Sequence, residues 1–162
     1  MKKAFSLIEL LIVIVIIGVV YTISVGNFKK MKDESQKLSL QNLKEYLQKI
    51  PHEKNIEFLC LDECSECEVF VDGKKFREVE SFLDKSVIVY RYDFSYGMTQ
   101  LEKKDDICFS YIINKQGVGE QVFVEFKTKV YDFSSYLSQI YIYDSLHEAT
   151  EVKENLIQEV IR

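Results

Sequence analysis

The feature that most constrains this chain is an apolar run close to its N-terminus. Every residue from Leu10 to Val20 is apolar or glycine, and Glu9 is the only formal charge between Ser6 and Phe28. A helix of about 20 residues spans roughly 30 Å, which is the thickness of the hydrocarbon core of a bilayer. The run therefore predicts a membrane helix that carries one acidic residue near its start.

Two ordinary kinds of N-terminal segment explain this run incompletely. A cleaved secretory signal would account for Lys2 and Lys3, but the apolar run is too long and no small-x-small cleavage site follows it. A simple signal anchor has the right length but leaves Glu9 unexplained, because a carboxylate inside a membrane helix costs up to ~3 kcal/mol.

A third interpretation explains the basic leader, the acid and the run together. The residues Lys2-Lys3-Ala4-Phe5-Ser6-Leu7-Ile8-Glu9, followed by Leu10-Leu11-Ile12-Val13, resemble the N-terminal segment of type IV pilins and type II secretion pseudopilins. The resemblance implies that a prepilin peptidase cuts between Ala4 and Phe5 and methylates the new amine of Phe5. The chain departs from the family in two places, since Ala4 stands where Gly is usual and Gly26 where many members have Pro.

The resemblance also gives Glu9 a role in assembly. It implies that the carboxylate pairs with the N-terminal amine of Phe5 of a neighbouring subunit, which offsets the cost of a charge in lipid. The implied partners are other pilin or pseudopilin subunits, the prepilin peptidase and an inner-membrane assembly platform. The implied topology is a single pass of the bacterial inner membrane, with a cytoplasmic N-terminus and a periplasmic head.

The rest of the chain predicts an α+β fold. Apolar residues at helical spacing continue the first helix to Ile50, and Pro51 ends it. The predicted parts are a leader (1–4), a transmembrane helix (5–28), its amphipathic continuation (29–50) and a globular head (51–162). The long helix is expected to pack on an antiparallel sheet of the head, which also has a C-terminal helix. The predicted elements of the head are strands at 56–61, 68–71, 87–94, 107–113, 121–126 and 139–143, a short helix around 79–83, and the helix at 146–161. Asp72-Gly73 predicts a hairpin turn, and the segment 114–119 predicts a hairpin between the strands at 107–113 and 121–126.

Four cysteines form the most unusual local pattern of the head: Cys60, Cys64, Cys67 and Cys108. If the head lies in an oxidising compartment, they predict two disulfides, and of three pairings we favour Cys64–Cys67 with Cys60–Cys108. A four-cysteine zinc site and a thioredoxin-type redox motif stay open as alternatives. Neighbouring acids disfavour the thiolates that zinc requires.

The composition argues against several classes of function. The formal net charge of −5 gives no broad field to attract nucleic acid. No spacing of catalytic residues, metal ligands or phosphate-binding glycines stands out, so we expect neither an enzyme nor a bound cofactor or metal. The sequence predicts a structural, minor subunit of a type IV pilus or a secretion-like pseudopilus. The alternatives are a competence pseudopilin for DNA uptake and a membrane-anchored periplasmic binding or redox module that does not polymerise.

Overall fold

The computed structural model describes residue 8 and residues 11–17, 37–103, 106–136 and 139–161. The chain divides into two compact units, Met1–Lys37 and Leu38–Arg162, and we call the second unit the head. In the first unit, residues 11–17 are helical. Among the helices within the described residues, none is both long enough and apolar enough to cross a membrane.

Within its described residues, the head contains two α-helices and nine strands. The core helix is Leu40–Gln48 and the C-terminal helix is Leu146–Ile161. A short 3-10 turn, Asp62–Cys64, follows the first strand. The strands are β1 (Asn55–Leu61), β2 (Glu66–Val71), β3 (Lys74–Val79), β4 (Ile88–Asp93), β5 (Gly97–Gln100), β6 (Ile107–Asn114), β7 (Phe123–Phe126), β8 (Lys129–Asp132) and β9 (Tyr141–Tyr143).

The strands form two antiparallel sheets. The first sheet has the order β3-β2-β1-β6, and the second has the order β5-β4-β7-β8-β9. In the first sheet β1 is central, and its side chains alternate between buried and half-buried positions as expected for a strand with one face in the core. In this order β6 is an edge strand of the first sheet. Gly119, in the segment that follows β6, forms an isolated antiparallel bridge with Ile113.

The core helix begins sharply at Leu40. Ser39 is extended (φ −152°, ψ 164°), and its backbone N–H donates to the side-chain oxygen of Asn42 at 2.8 Å. This contact satisfies a backbone donor that the first turn of a helix leaves unpaired. Residues 37–39 are not helical, so the predicted uninterrupted helix from Phe5 to Ile50 is wrong at this point.

One large cluster of buried side chains joins the core helix to both sheets. Leu43 and Leu47 are fully buried, as are Phe58 on β1, Tyr111 on β6 and Val124 on β7. A smaller cluster under the C-terminal helix contains Phe123, Val130 and Ala149. The two clusters show that the second sheet buries side chains on both of its faces.

A buried lysine ties the core helix to the segment after β8. Lys44 is 1% exposed, and its ammonium group donates to the backbone carbonyls of Phe133 and Ser135. Loss of hydration lowers the pKa of Lys44, and the nearby carboxylate of Asp132 opposes that shift. The side chain thus reaches carbonyls that lie far away in sequence.

Most of the predicted elements are present. The α+β class, the antiparallel pairing and the C-terminal helix are confirmed, and strands occupy all six predicted regions. Three strands were not predicted, namely β3, β5 and β8. The predicted short helix around 79–83 is wrong, because β3 runs to Val79 and residues 80–84 have no regular structure.

The predicted hairpin between the strands at 107–113 and 121–126 is also wrong. The segment Asn114–Gly119 does turn the chain, but β6 belongs to the first sheet and β7 to the second. After the turn Gly119 and Glu120 still pair with the end of β6, and the chain then passes to the second sheet at β7.

Candidate functional site

The apolar segment of the first unit exposes its side chains. Ile8 and the residues at 11–17 are large aliphatic side chains, with exposed fractions from 46% at Val13 to 68% at Ile8. Successive residues of an α-helix differ by about 100° in direction, so positions 11–17 point to every side of the helix. A helix that is apolar on all sides is typical of a membrane span or of an interior position.

The residues predicted for processing and assembly precede residues 11–17 in the sequence. Ala4, Phe5 and Glu9 lie outside the described residues, so their positions in space stay predictions. Ile8 and the helical residues 11–17 flank Glu9 in sequence. Along the sequence, the only formal charge between Ser6 and Phe28 is therefore flanked by residues with exposed aliphatic side chains.

The structure joins the four cysteines in two disulfides, but not in the predicted pairing. Cys60 is bonded to Cys67, and Cys64 is bonded to Cys108. The physical reason is the antiparallel register of β1 and β2, which places Cys60 directly opposite Cys67 with 4.1 Å between their Cα atoms. Once that pair forms, Cys64 is left for Cys108 on β6.

The 3-10 turn after β1 directs Cys64 toward β6. Asp62, Glu63 and Cys64 have φ values of 46°, 55° and 68°, in the left-handed region that non-glycine residues rarely adopt. The turn is held by a hydrogen bond from the backbone N–H of Asp62 to the carbonyl of Asp106 (3.1 Å). A second bond runs from the hydroxyl of Ser81 to the carbonyl of Cys64.

The disulfides argue against a zinc site and against a thioredoxin-type redox motif at the four cysteines. None of the four cysteines is free, and each is at most 6% exposed. Zinc binds cysteine as the thiolate, so sulfur atoms held in disulfides do not supply its ligands. The two cysteines of the Cys64-Ser65-Glu66-Cys67 motif bond to different partners, whereas a thioredoxin-type motif forms its disulfide within the motif. No other cluster suited to a metal occurs in the described part of the chain.

The head also has a cleft that the sequence did not predict. It has a volume of about 230 Å³ and lies where the edge strand β6 faces β4 and the end of β5. The lining mixes apolar and polar residues; it consists of Ile88, Val89, Arg91, Gln100, Leu101, Glu102, Lys103, Ile107, Cys108, Phe109, Ser110, Glu120 and Val122.

The cleft holds one half-buried carboxyl group. Burial raises the pKa of Glu120, while the guanidinium of Arg91 acts in the opposite direction. On the far side of β6, burial and the charge of Glu120 raise the pKa of Glu57. Sequence analysis missed this cleft because its lining comes from segments that are distant in sequence and become neighbours only when the sheets pack.

Comparison with known families bears on the N-terminal segment alone. Residues 1–24 match a family model described as the prokaryotic N-terminal methylation motif, which confirms the prepilin-type signature of type IV pilins and pseudopilins. Neither a curated protein nor a solved structure matches the chain significantly.

Proposed function

Because residues 1–24 carry the prepilin-type methylation motif, we propose that this chain is a structural subunit of a type IV pilus or of a secretion-like pseudopilus. The motif by itself supports a pilin-like or pseudopilin protein. The proposal adds that the processed chain is anchored in the inner membrane and joins a filament through its N-terminal helix. We also propose a minor subunit, because two disulfides and a C-terminal helix elaborate the head.

The exposed apolar surface of residues 11–17 supports assembly through the N-terminal helix. Burial of aliphatic surface is favourable by about 25 cal/mol per Å². Side chains such as Leu11, Ile14 and Ile17, each 62% exposed, therefore favour an environment of lipid or of neighbouring apolar helices. A filament whose subunits pack by such helices offers that environment without lipid.

Glu9 supplies the specificity that apolar packing lacks. Apolar side chains attract one another without direction, so they do not fix how far one helix is displaced along another. A carboxylate in an apolar surrounding is stable only when it is paired, and the amine of a processed Phe5 is a matching charge. Pairing of Glu9 with the amine of a neighbour would therefore set the register between subunits.

The head fits an oxidising compartment. All four of its cysteines are in disulfides, and such bonds persist in the periplasm but are rare in the cytosol. This supports a topology in which the head lies outside the cytoplasmic membrane. A tethered module that does not polymerise would have the same head, so the disulfides do not separate the two functions.

The processing of the N-terminus tests the proposal. In a cell with an active prepilin peptidase, we expect the mature chain to begin with methylated Phe5, as read by mass spectrometry of the intact protein and its N-terminal peptide. The variant Ala4→Leu should remain uncleaved because of its larger side chain, whereas Ala4→Gly should be processed. A wild-type chain that keeps Met1–Ala4 would refute the proposal.

Assembly separates a filament subunit from a tethered module. Sheared filaments should contain the processed wild-type chain and lack the uncleaved Ala4→Leu variant, although both chains are present in membranes. A processed chain that is never found in any filament fraction would favour the module that does not polymerise.

A further inference from the structure

The disulfides of the head connect its cysteines in an interleaved order. Along the chain the cysteines are Cys60, Cys64, Cys67 and Cys108, and the bonds join the first to the third and the second to the fourth. Four cysteines allow three complete pairings. The two non-native pairings are Cys64–Cys67 with Cys60–Cys108, and Cys60–Cys64 with Cys67–Cys108. In both of them Cys64 is bonded to a near neighbour in sequence instead of to Cys108.

Loop closure favours bonds among the first three cysteines. Cys60, Cys64 and Cys67 lie within eight residues, whereas the native bond from Cys64 to Cys108 has a sequence separation of 44. The entropic cost of bringing two residues together rises with the length of chain between them, so a thiol oxidase acting on the unfolded chain forms a local bond first. Of the three possible local bonds, only Cys60–Cys67 is native.

The backbone of the unfolded chain does not select this native local bond. The register that sets Cys60 opposite Cys67 requires the turn between β1 and β2, where three consecutive residues, 62–64, have positive φ. None of the three is glycine, and residues with a side chain rarely adopt this region. The turn is held by later segments, through the disulfide to Cys108 and a hydrogen bond to the carbonyl of Asp106. The native turn therefore depends on parts of the head that are distant in sequence.

A chain that has closed two non-native bonds has no thiol with which to correct them. Disulfides rearrange when a thiolate attacks a disulfide sulfur. This chain has four cysteines, so two bonds leave none of them free, and the attacking thiolate has to come from another molecule. In the folded head each cysteine is at most 6% exposed, so such a thiolate reaches the misfolded chain and is kept from the native one.

We propose that a thiol–disulfide isomerase of the oxidising compartment acts on this chain and attacks at Cys64. The enzyme's thiolate bonds to Cys64 and releases the thiolate of Cys67 or Cys60. That thiolate attacks the remaining non-native bond, which forms Cys60–Cys67 and releases the thiolate of Cys108. Cys108 then attacks the mixed disulfide, which forms Cys64–Cys108 and returns the enzyme's thiolate. Two disulfides enter and two leave, so the exchange consumes neither oxidant nor reductant.

This inference rests on one part of the proposed function, the placement of the head outside the cytoplasmic membrane, because disulfides persist in that compartment. It does not depend on cleavage of the leader or on filament assembly. The isomerase would be a partner in the maturation of the head, separate from the peptidase that processes the N-terminus.

Production of the full chain with and without the isomerase tests the proposal. The chain is made in protease-deficient bacterial cells that contain or lack a periplasmic thiol–disulfide isomerase, and free thiols are alkylated at lysis. A glutamate-specific protease cuts after Glu63 and Glu66, so the first three cysteines fall on separate peptides, whose links are read by mass spectrometry without reduction. We expect native links in cells with the enzyme. Without it the native fraction should be about threefold lower, because one of three local bonds is native.

The double variant Cys60→Ala/Cys67→Ala is the matched control. It leaves Cys64 and Cys108 with no other partner in the chain, so their bond should form to the same extent in both strains. Equal native pairing of the wild-type chain in the two strains overturns the proposal, and so does an equal dependence of the double variant on the enzyme. Cysteines that are free in both strains overturn the periplasmic placement of the head as well, which distinguishes that failure from the other two.

Discussion

At the scale of single residues, Tyr111 and Gly119 show how tightly the head is packed around β6. Tyr111 is fully buried, and its hydroxyl has no hydrogen-bond partner among the described residues. A Cβ atom at Gly119 would lie 1.9 Å from that hydroxyl oxygen. Gly119 is therefore required, because any side chain at this position would overlap with Tyr111. Burial also raises the pKa of the Tyr111 hydroxyl.

Substitution at these two positions should have opposite effects on stability. We expect Gly119→Ala to lower the free energy of unfolding by about 1–3 kcal/mol through overpacking. Tyr111→Phe should be neutral or stabilising, because it removes a buried hydroxyl without a partner. Urea unfolding of both single variants and the double variant measures this, and the double variant should recover part of the loss. If the change in unfolding free energy of the double variant were simply the sum of the two single changes, the contact would be contradicted.

A second residue-scale feature is the carboxylate of Asp72 in the β2–β3 turn. It accepts hydrogen bonds from the backbone N–H groups of Lys54 (2.7 Å), Glu53 (3.1 Å) and Asn55 (3.1 Å). The bonds from Lys54 and Glu53 are the main reason that the pKa of Asp72 lies below its usual value. The side chain holds the segment after Pro51 against the first sheet.

This lowered pKa makes stability dependent on pH. A carboxyl group with a lower pKa in the folded state stabilises the fold above its unfolded pKa of ~3.9, and that contribution disappears as the pH falls through the folded pKa. We expect Asp72→Asn to be less stable than wild type at pH 7, with the difference shrinking in acid. Urea unfolding between pH 7 and pH 2 measures this. A difference that stays constant with pH would contradict the role of the charge.

At the scale of elements, the two disulfides contribute unequally to stability. Cys64–Cys108 closes a loop with a sequence separation of 44, whereas Cys60–Cys67 has a separation of 7. The chain-entropy account gives about 4 kcal/mol for the longer loop and about 2 kcal/mol for the shorter one. The longer bond also joins the turn after β1 to the edge strand β6.

Paired alanine variants test this difference. Replacing Cys64 and Cys108 together should lower the free energy of unfolding more than replacing Cys60 and Cys67 together, by about 2 kcal/mol. Urea unfolding under non-reducing conditions is the measurement, with the free-thiol content of each variant as the control. An equal or reversed order would show that packing around the sulfur atoms outweighs loop length.

The same elements show what the sequence could and could not predict. Asp72-Gly73 predicted a tight turn, and both residues have positive φ in the structure, at 53° and 79°. The next strand, β3, escaped prediction because it is an edge strand with exposed or half-exposed side chains throughout, so it lacks apolar alternation. The cysteine pairing depended on the register of β1 against β2, which spacing in the sequence does not fix.

At the scale of the whole molecule, the N-terminal motif was recognisable because its chemistry is local. The basic leader, Phe5, Glu9 and the apolar run all lie within the first 24 residues. The cleft beside β6 was not recognisable, because its lining residues come together only when the two sheets pack. The N-terminal segment thus predicts the class of protein, and the structure supplies the surfaces of the head.

The assembly role of Glu9 belongs to this scale. We expect Glu9→Ala to leave the chain inserted and processed, because the variant removes a charge from an apolar helix, and to be defective in joining the filament because register is lost. The ratio of processed chain in filaments to that in membranes is the measurement. Ser6→Ala serves as a matched control in the same segment. Incorporation of Glu9→Ala at the wild-type level would contradict the role.

The bond between Cys64 and Cys108 also limits how far this chain can be stretched. When tension is applied to the two ends of the chain, the covalent path crosses from one sulfur to the other and bypasses the residues between them. A separation of 44 residues at about 3.4 Å each removes roughly 150 Å from the attainable extension. A subunit under traction would therefore lengthen outside the loop, and the residues between Cys64 and Cys108 would not extend until the bond is reduced.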